Sequence, residues 1–501
     1  MATQSFTGQW FGFIIPMYWE DAMRGGTLRM ASSQYIGMMN PNHWPVNDWV
    51  AMGAFLDKFI LTDGEYRPSV PWLAESIQAE SPTSVIMTLR RGIKFHDGTA
   101  FNAETVKFQA DWTTKEGATA WSKSWLAPLE SVEVLDEYRL RWKFKTTWGA
   151  FQGLMANVPG YALSAQQLAD GRKFDTDPKG TGPWIVVEGK QDSFLRMKRN
   201  PDWWLAKLTG SGAPYFDELL ISVVPDPAVR LANLRAARID MLTVDKSQFA
   251  IVKRDPNLQV HVTPVPTVTG LRMNSKSGPC TDIRVREAIN RALNREALIH
   301  GTQHGLGRIA SGLYPNDHFA SNKSLKPVAY DPDRAKRLLK EAGFDDGLKL
   351  RGYFGNLAAD QTLAQAIKHM LLQVGIEWEV EMLTPAARTE RLDKEEFDLA
   401  LGGWNYIYDP DLAMSGLYHP TGRFAKGRMQ DDERTRMIEE ARNEPDPQRR
   451  EKLYQALDKY VTERYLDAWL WWEQAATAYG KHIRGYDHDA AVKYKEAYTR
   501  S

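Results

Sequence analysis

The chain has 501 residues, of which 43% are hydrophobic and 25% charged, and its 63 Lys plus Arg balance its 63 Asp plus Glu. That length predicts more than one domain, each around its own core. The zero formal charge leaves no basic excess for phosphate neutralisation, and the single cysteine, Cys280, excludes an intrachain disulfide or a cysteine metal cluster.

Along the chain, residues 10–19 are apolar but interrupted by Pro16. They lack a basic leader and a small-residue cleavage site, so they do not read as a signal peptide. No apolar run reaches the ~18 residues of a membrane span. His96-Asp97-Gly98 reads as a β-turn rather than an acid–base pair, because Asp-Gly is turn chemistry. Gly180-Thr181-Gly182-Pro183 predicts a backbone crossing with positive φ available at its glycines. Asn200-Pro201 predicts an extended residue and a turn.

Residues 219–224 read as a strand, and Asp226-Pro227 supplies the cap and first-turn proline of a helix through Ala237. Asp282 caps a helix with an apolar face of Val285, Ile289, Ala292 and Leu293. His300 and His304 have the spacing of one helix face, but a metal site there needs a third ligand that the neighbouring sequence lacks. Asp331-Pro332 opens another helix, with Gly343 at a left-handed C-terminal cap. Leu363, Ile367, Met370, Leu371 and Val374 form a helical stripe ending at Gly375, and Ile376, Trp378, Val380 and Met382 alternate as a strand. Asp446-Pro447 starts a helix to about residue 464. Asp487-His488-Asp489 reads as solvated surface. The alternation of helix and strand predicts an α/β protein.

Catalytic signatures are missing. There is no Gly-rich phosphate loop, no G-x-S-x-G elbow and no H-E-x-x-H, and Gly305-Leu306-Gly307 lacks the third glycine of a dinucleotide loop. The reading is therefore a binding protein and not an enzyme. The 18 tryptophans serve either as core or as the flat walls of a site.

Seven strings recur in a recognisable order. They are Gly25-Gly26-Thr27-Leu28-Arg29, Pro71-Trp72-Leu73-Ala74-Glu75-Ser76, Leu89 to Thr99 followed by Asn102 to Phe108, Gly180 to Trp184, Arg199 to Trp204, and Asp282 to Ala288. Together they resemble the family 5 extracellular solute-binding proteins, the peptide, nickel and opine class, over nearly the whole chain. The strings themselves read as scaffold rather than as ligand contacts.

The resemblance implies a bilobal periplasmic-binding-protein fold of class II with three domains. Residues 26–44, 178–265 and 474–501 would form a discontinuous α/β lobe, 45–177 an inserted subdomain, and 266–473 the second lobe. Ligand would be trapped where the lobes close. The implied partners are a small-molecule ligand and the permease and ATPase subunits of an ABC importer. The implied protein is a periplasmic or otherwise extracytoplasmic monomer, with no cofactor, metal or nucleic acid. A ligand-sensing receptor without transport is the alternative outside import.

Peptide-binding relatives carry Gly-Trp-x-x-Asp, whose aspartate takes the peptide amino terminus. Here Gly403-Trp404 is followed by Asn405, Tyr406 and Ile407, so the acid's place falls on Ile407. The arginine places of oligopeptide binders fall on Leu392 and Leu401. Asp409, Arg388 and Arg391 stand close enough to take over. A site lined by Leu392, Leu401 and Ile407 predicts a neutral, aromatic or sugar-like solute, with an oligopeptide or dipeptide as the alternative. The expected grips are Trp404, Tyr406 and Tyr408, with Asn405 giving directional hydrogen bonds. Trp471 and Trp472 are either a core pair or a cover over the ligand, and as strand neighbours they face opposite ways. Trp112, Phe354 and Trp44 complete the set.

Overall fold

The computed structural model describes residues 24–33, 39–41, 49–115, 123, 125–170, 174, 176–210, 213–405 and 408–483. Trp44, Tyr406, Ile407 and the Asp487-His488-Asp489 cluster lie outside them, as do residues 10–19. The chain divides into two compact units, Met1–Thr263 with Ala475–Ser501, and Pro264–Gln474. Two strands, Leu258–Met273 and Asp467–Gly480, run from one unit into the other. No helix among the described residues is long and apolar enough to cross a membrane.

In the first unit, Thr27–Ser32 pairs in parallel with Glu218–Val223 and with Met241–Thr243. Phe194–Arg199 and Trp184–Lys190 continue the sheet antiparallel beyond Glu218–Val223. A separate antiparallel sheet has the order Ala74–Ser81, Ser84–Leu89, Arg139–Phe144, Leu129–Asp136. Trp142, Phe144, Trp148 and Phe151 pack beside it with ring centroids 5.0–5.4 Å apart.

The scaffold strings meet at one buried carboxylate. Asp57 accepts from Trp72 Nε1 at 2.8 Å, Trp204 Nε1 at 3.0 Å and Thr181 Oγ1 at 2.9 Å. Gly180 and Gly182 flank that threonine, but neither has a positive φ. Close approach is what demands glycine: a Cβ on Gly180 would sit 1.9 Å from the Phe55 carbonyl oxygen, and one on Gly182 would sit 2.7 Å from its carbonyl carbon.

In the second unit, the Asp-Pro signals set the helix starts. Asp331, Asp409 and Asp446 each accept a backbone N–H as cap of Pro332–Glu341, Pro410–Tyr418 and Pro447–Glu463. Asp282 does the same for Ile283–Ala292. Gly343 and Gly375 take the positive φ that ends their helices. His304 is itself the left-handed cap of Arg295–Gln303, with φ 51°, so it leaves the helical spiral and does not share a face with His300.

Leu348–Gly355 and Ile376–Leu383 pair in parallel, Leu348 opposite Ile376, and Ala358–Leu372 is the crossover helix that such a pair requires. Gly352 admits the Leu399 carbonyl, which would lie 1.7 Å from a Cβ there. Trp378 Nε1 donates to that same carbonyl at 3.1 Å. The result is one apolar cluster that includes Leu271, Met273, Ile289, Phe354, Ile367, Trp378, Leu399 and Trp471. A second includes Val268, Tyr314, Met414, Leu417, Tyr454, Trp469 and Trp472.

Candidate functional site

The expected site centres on the strand Leu399–Asn405, which pairs antiparallel with Leu258–Met273. Directly opposed residues share a sheet face. Val268 with Trp404, Gly270 with Gly402, and Arg272 with Ala400 therefore lie on one face. Thr267 with Asn405, Thr269 with Gly403, and Leu271 with Leu401 lie on the other.

Trp404 is half-buried, with its ring edge-on to Phe424 at a centroid distance of 5.6 Å. Gly416 makes room for it, since a Cβ there would come within 2.4 Å of Trp404 Cη2. Gly403 needs its missing side chain for two reasons, a φ of 141° and the Val268 carbonyl 2.5 Å from where a Cβ would be. Asn405 closes the strand and is exposed.

Asp409 is fully buried and committed. It caps Pro410–Tyr418, and its two oxygens receive Arg450 Nη1 and Nη2 at 3.0 and 2.9 Å. Burial opposes the Arg450 charge, but Asp409 more than offsets this and holds the guanidinium well above its usual range. Of the three groups that could stand in for the missing charges, Asp409 has a counter-ion on both oxygens. Arg391 is likewise occupied, by Glu381 at 2.8 Å and Glu396 at 3.1 Å.

Phe354 is also corrected: it is a core residue with no exposed surface, edge-on to Trp378. Tyr408 is buried. Trp112 is half-buried on Ala103–Lys115 in the first unit. Trp471 and Trp472 divide between the two clusters of the second unit and are 1% and 2% exposed, which favours their core reading. Leu392 and Leu401 form no common wall. Leu392 packs with Tyr353, Phe397 and Ala400, whereas Leu401 packs on the larger cluster.

Polar groups that sequence reasoning passed over stand on Asp467–Gly480 and Leu258–Met273. Glu473 accepts from Trp471 Nε1 at 2.6 Å and Thr269 Oγ1 at 2.8 Å. Arg272 is 5% exposed, and its Nε and Nη1 are buried without a partner. Burial, reinforced by the neighbouring Arg428, pushes its guanidinium down to about 10, so it remains charged at neutral pH. Its one mark in the sequence is an arginine set directly between two apolar residues, Leu271 and Met273.

Residues 69–425 match the model of the bacterial extracellular solute-binding proteins, family 5. A glutathione-binding protein, GsiB, from Salmonella choleraesuis is 27% identical over 80% of this chain and 80% of its own. GsiB from Escherichia coli O1:K1 is 27% identical over 83% and 82%. NikA from Brucella suis, solved with Fe(III)-EDTA, shares the fold at a TM-score of 0.81, 22% identity, and 94% and 99% coverage of the two chains. DppA from Helicobacter pylori, solved with the peptide STSA, does so at 0.76, 22%, 94% and 96%.

Proposed function

Because the chain belongs to the bacterial extracellular solute-binding proteins of family 5, a family of transport binding proteins and not enzymes, we propose a specific class of solute for it. The chain is the substrate-binding protein of an ABC importer, and its partners are a ligand and the importer's permease and ATPase subunits. We take it to act in the periplasm as a monomer, without cofactor or nucleic acid.

The solute is a small organic molecule with an aromatic or sugar-like body and no buried ammonium. The observation that carries this is the Asp409–Arg450 pair, which leaves that acid no capacity for an amino terminus. A ligand ammonium enclosed without a counter-ion would be strongly disfavoured. Trp404 supplies ring contact and Asn405 an amide, the combination of apolar wall and sparse polar groups usual in small-molecule sites.

Peptides are the second reading, favoured by the glutathione-binding relatives. Calorimetry with tri-alanine, N-acetyl-tri-alanine and a set of neutral glycosides separates the two. Blocked or neutral compounds should bind tighter than free tri-alanine. Submicromolar binding that requires the free amino terminus would contradict the first reading and leave the second.

A further inference from the structure

Three tryptophans of the second unit spend their indole N–H inside the fold. Trp378 donates to the Leu399 carbonyl at 3.1 Å, Trp471 to Glu473 Oε1 at 2.6 Å and Trp472 to the Leu313 carbonyl at 3.3 Å. Trp404 does not. It is half-buried, and its Nε1 neither donates to a group among the described residues nor is sealed from solvent by them.

The other end of the same indole is fixed. Cη2, Cζ3 and Cζ2 form the far edge of its six-membered ring, and they would lie 2.4, 3.0 and 3.3 Å from a Cβ on Gly416. That edge therefore rests on the backbone of Pro410–Tyr418. Phe424 meets the ring at 84°, and the Phe424 N–H donates to the Gly416 carbonyl at 3.0 Å. Both neighbours of the ring are thus tied to one point. The indole is held by its hydrocarbon end, and its donor is left accessible in a defined place.

We propose that Trp404 reads the solute through this N–H, so that the solute carries an acceptor oxygen (a hydroxyl, a ring ether or a carbonyl) on the part it sets against Trp404. This rests on, and deepens, the reading of Trp404 as a solute contact. Between the two bodies named there, it selects the oxygen-bearing, sugar-like one over a plain hydrocarbon ring. The physical reason is one-sided. An indole N–H has no acceptor function, and enclosing it against a group that cannot accept strands a donor that water had satisfied. A ring wall alone tolerates a missing oxygen, whereas an N–H placed to bind one rejects the analogue without it.

The test uses the full chain and Trp404→Phe, which keeps a ring on the strand and removes the donor. Neutral glycosides are titrated beside their monodeoxy analogues. One deoxy position should cost wild type about tenfold or more in affinity, and that cost should vanish in Trp404→Phe. If every deoxy penalty seen in wild type persists in the variant, the N–H role is overturned while the glycoside reading stands. Nitrogen-15 spectra give the second readout. The Trp404 indole signal, identified by its absence from Trp404→Phe, should exchange with deuterium oxide without protection in the free protein. It should move downfield and become protected when the glycoside saturates the site. Protection in the free protein, or a signal unmoved at saturation, overturns the proposal. If only free tri-alanine binds, the sugar-like body is discarded, and the same signal decides: a downfield shift assigns the N–H to a peptide carbonyl, and no shift removes its role. Binding of none of these compounds to wild type overturns both readings.

Discussion

Asp409 and Arg450 form a two-pronged ion pair at 2.9 and 3.0 Å, with side-chain exposures of 1% and 7%. Asp409 thus joins the start of Pro410–Tyr418 to Pro447–Glu463, the helix that carries Arg450. Its loss should be felt as stability. Asp409→Asn should cost about 3–5 kcal/mol, the usual penalty for stranding one partner of a buried pair. Asp409→Asn with Arg450→Met should recover much of it. Urea unfolding of the second unit measures both, and a single variant within about 1 kcal/mol of wild type would contradict the pair's role.

Gly180 and Gly182 predict a second effect. An alanine at either position drives a methyl into the Phe55 backbone and displaces Thr181 from Asp57. Overpacking of this kind costs about 1–3 kcal/mol, and the lost hydrogen bond adds about 1 kcal/mol. Thermal unfolding of Gly180→Ala checks it. A melting temperature equal to wild type would show that the crossing tolerates a Cβ.

Asp458 predicts a pH dependence. Its carboxyl is fully buried, and burial raises it to about 7, partly offset by the backbone N–H groups of Asn322 and Leu313, which donate at 3.1 and 3.3 Å. An unfolded aspartate titrates near 3.9, so between about 4 and 7 the folded chain holds a proton that the unfolded chain has released. Stability therefore falls as pH rises through that window and levels off above it. Asp458→Asn removes the slope, so its urea midpoint should gain on wild type between about pH 4.5 and 7.5. A constant difference across that range would contradict a protonated Asp458.

Much of the scaffold was legible because its signals are local. Asp-Pro at 226, 331 and 446 marks helix starts through one side chain and one ring, and both act within a single turn. The stripe from Leu363 to Leu371 and the alternation from Ile376 to Met382 needed only periodicity. Gly180 was misread because a glycine without a positive φ is explained only by a distant backbone, here that of Phe55. The site failed for the same reason. Asp409 looked available until Arg450, 41 positions later, was seen against it. Phe354 looked like a wall until Trp378 closed over it. Arg272 drew no notice because its lack of a partner is a property of the folded unit.

Trp404 predicts an effect on binding. Trp404→Ala should weaken solute affinity by about 1–3 kcal/mol, the usual cost of removing an aromatic anchor. Because the ring also packs on Phe424, Phe424→Leu serves as the control for local repacking. Affinity unchanged in a folded Trp404→Ala protein would remove this strand from the solute site.

The most direct measurement is native mass spectrometry of the purified protein, followed by release and identification of whatever it retains. The account predicts one small organic molecule per chain, with an aromatic or sugar-like body and no free amino group, with retention reduced in Trp404→Ala. Release of an unmodified peptide, or of a solute held equally by the variant, would contradict it.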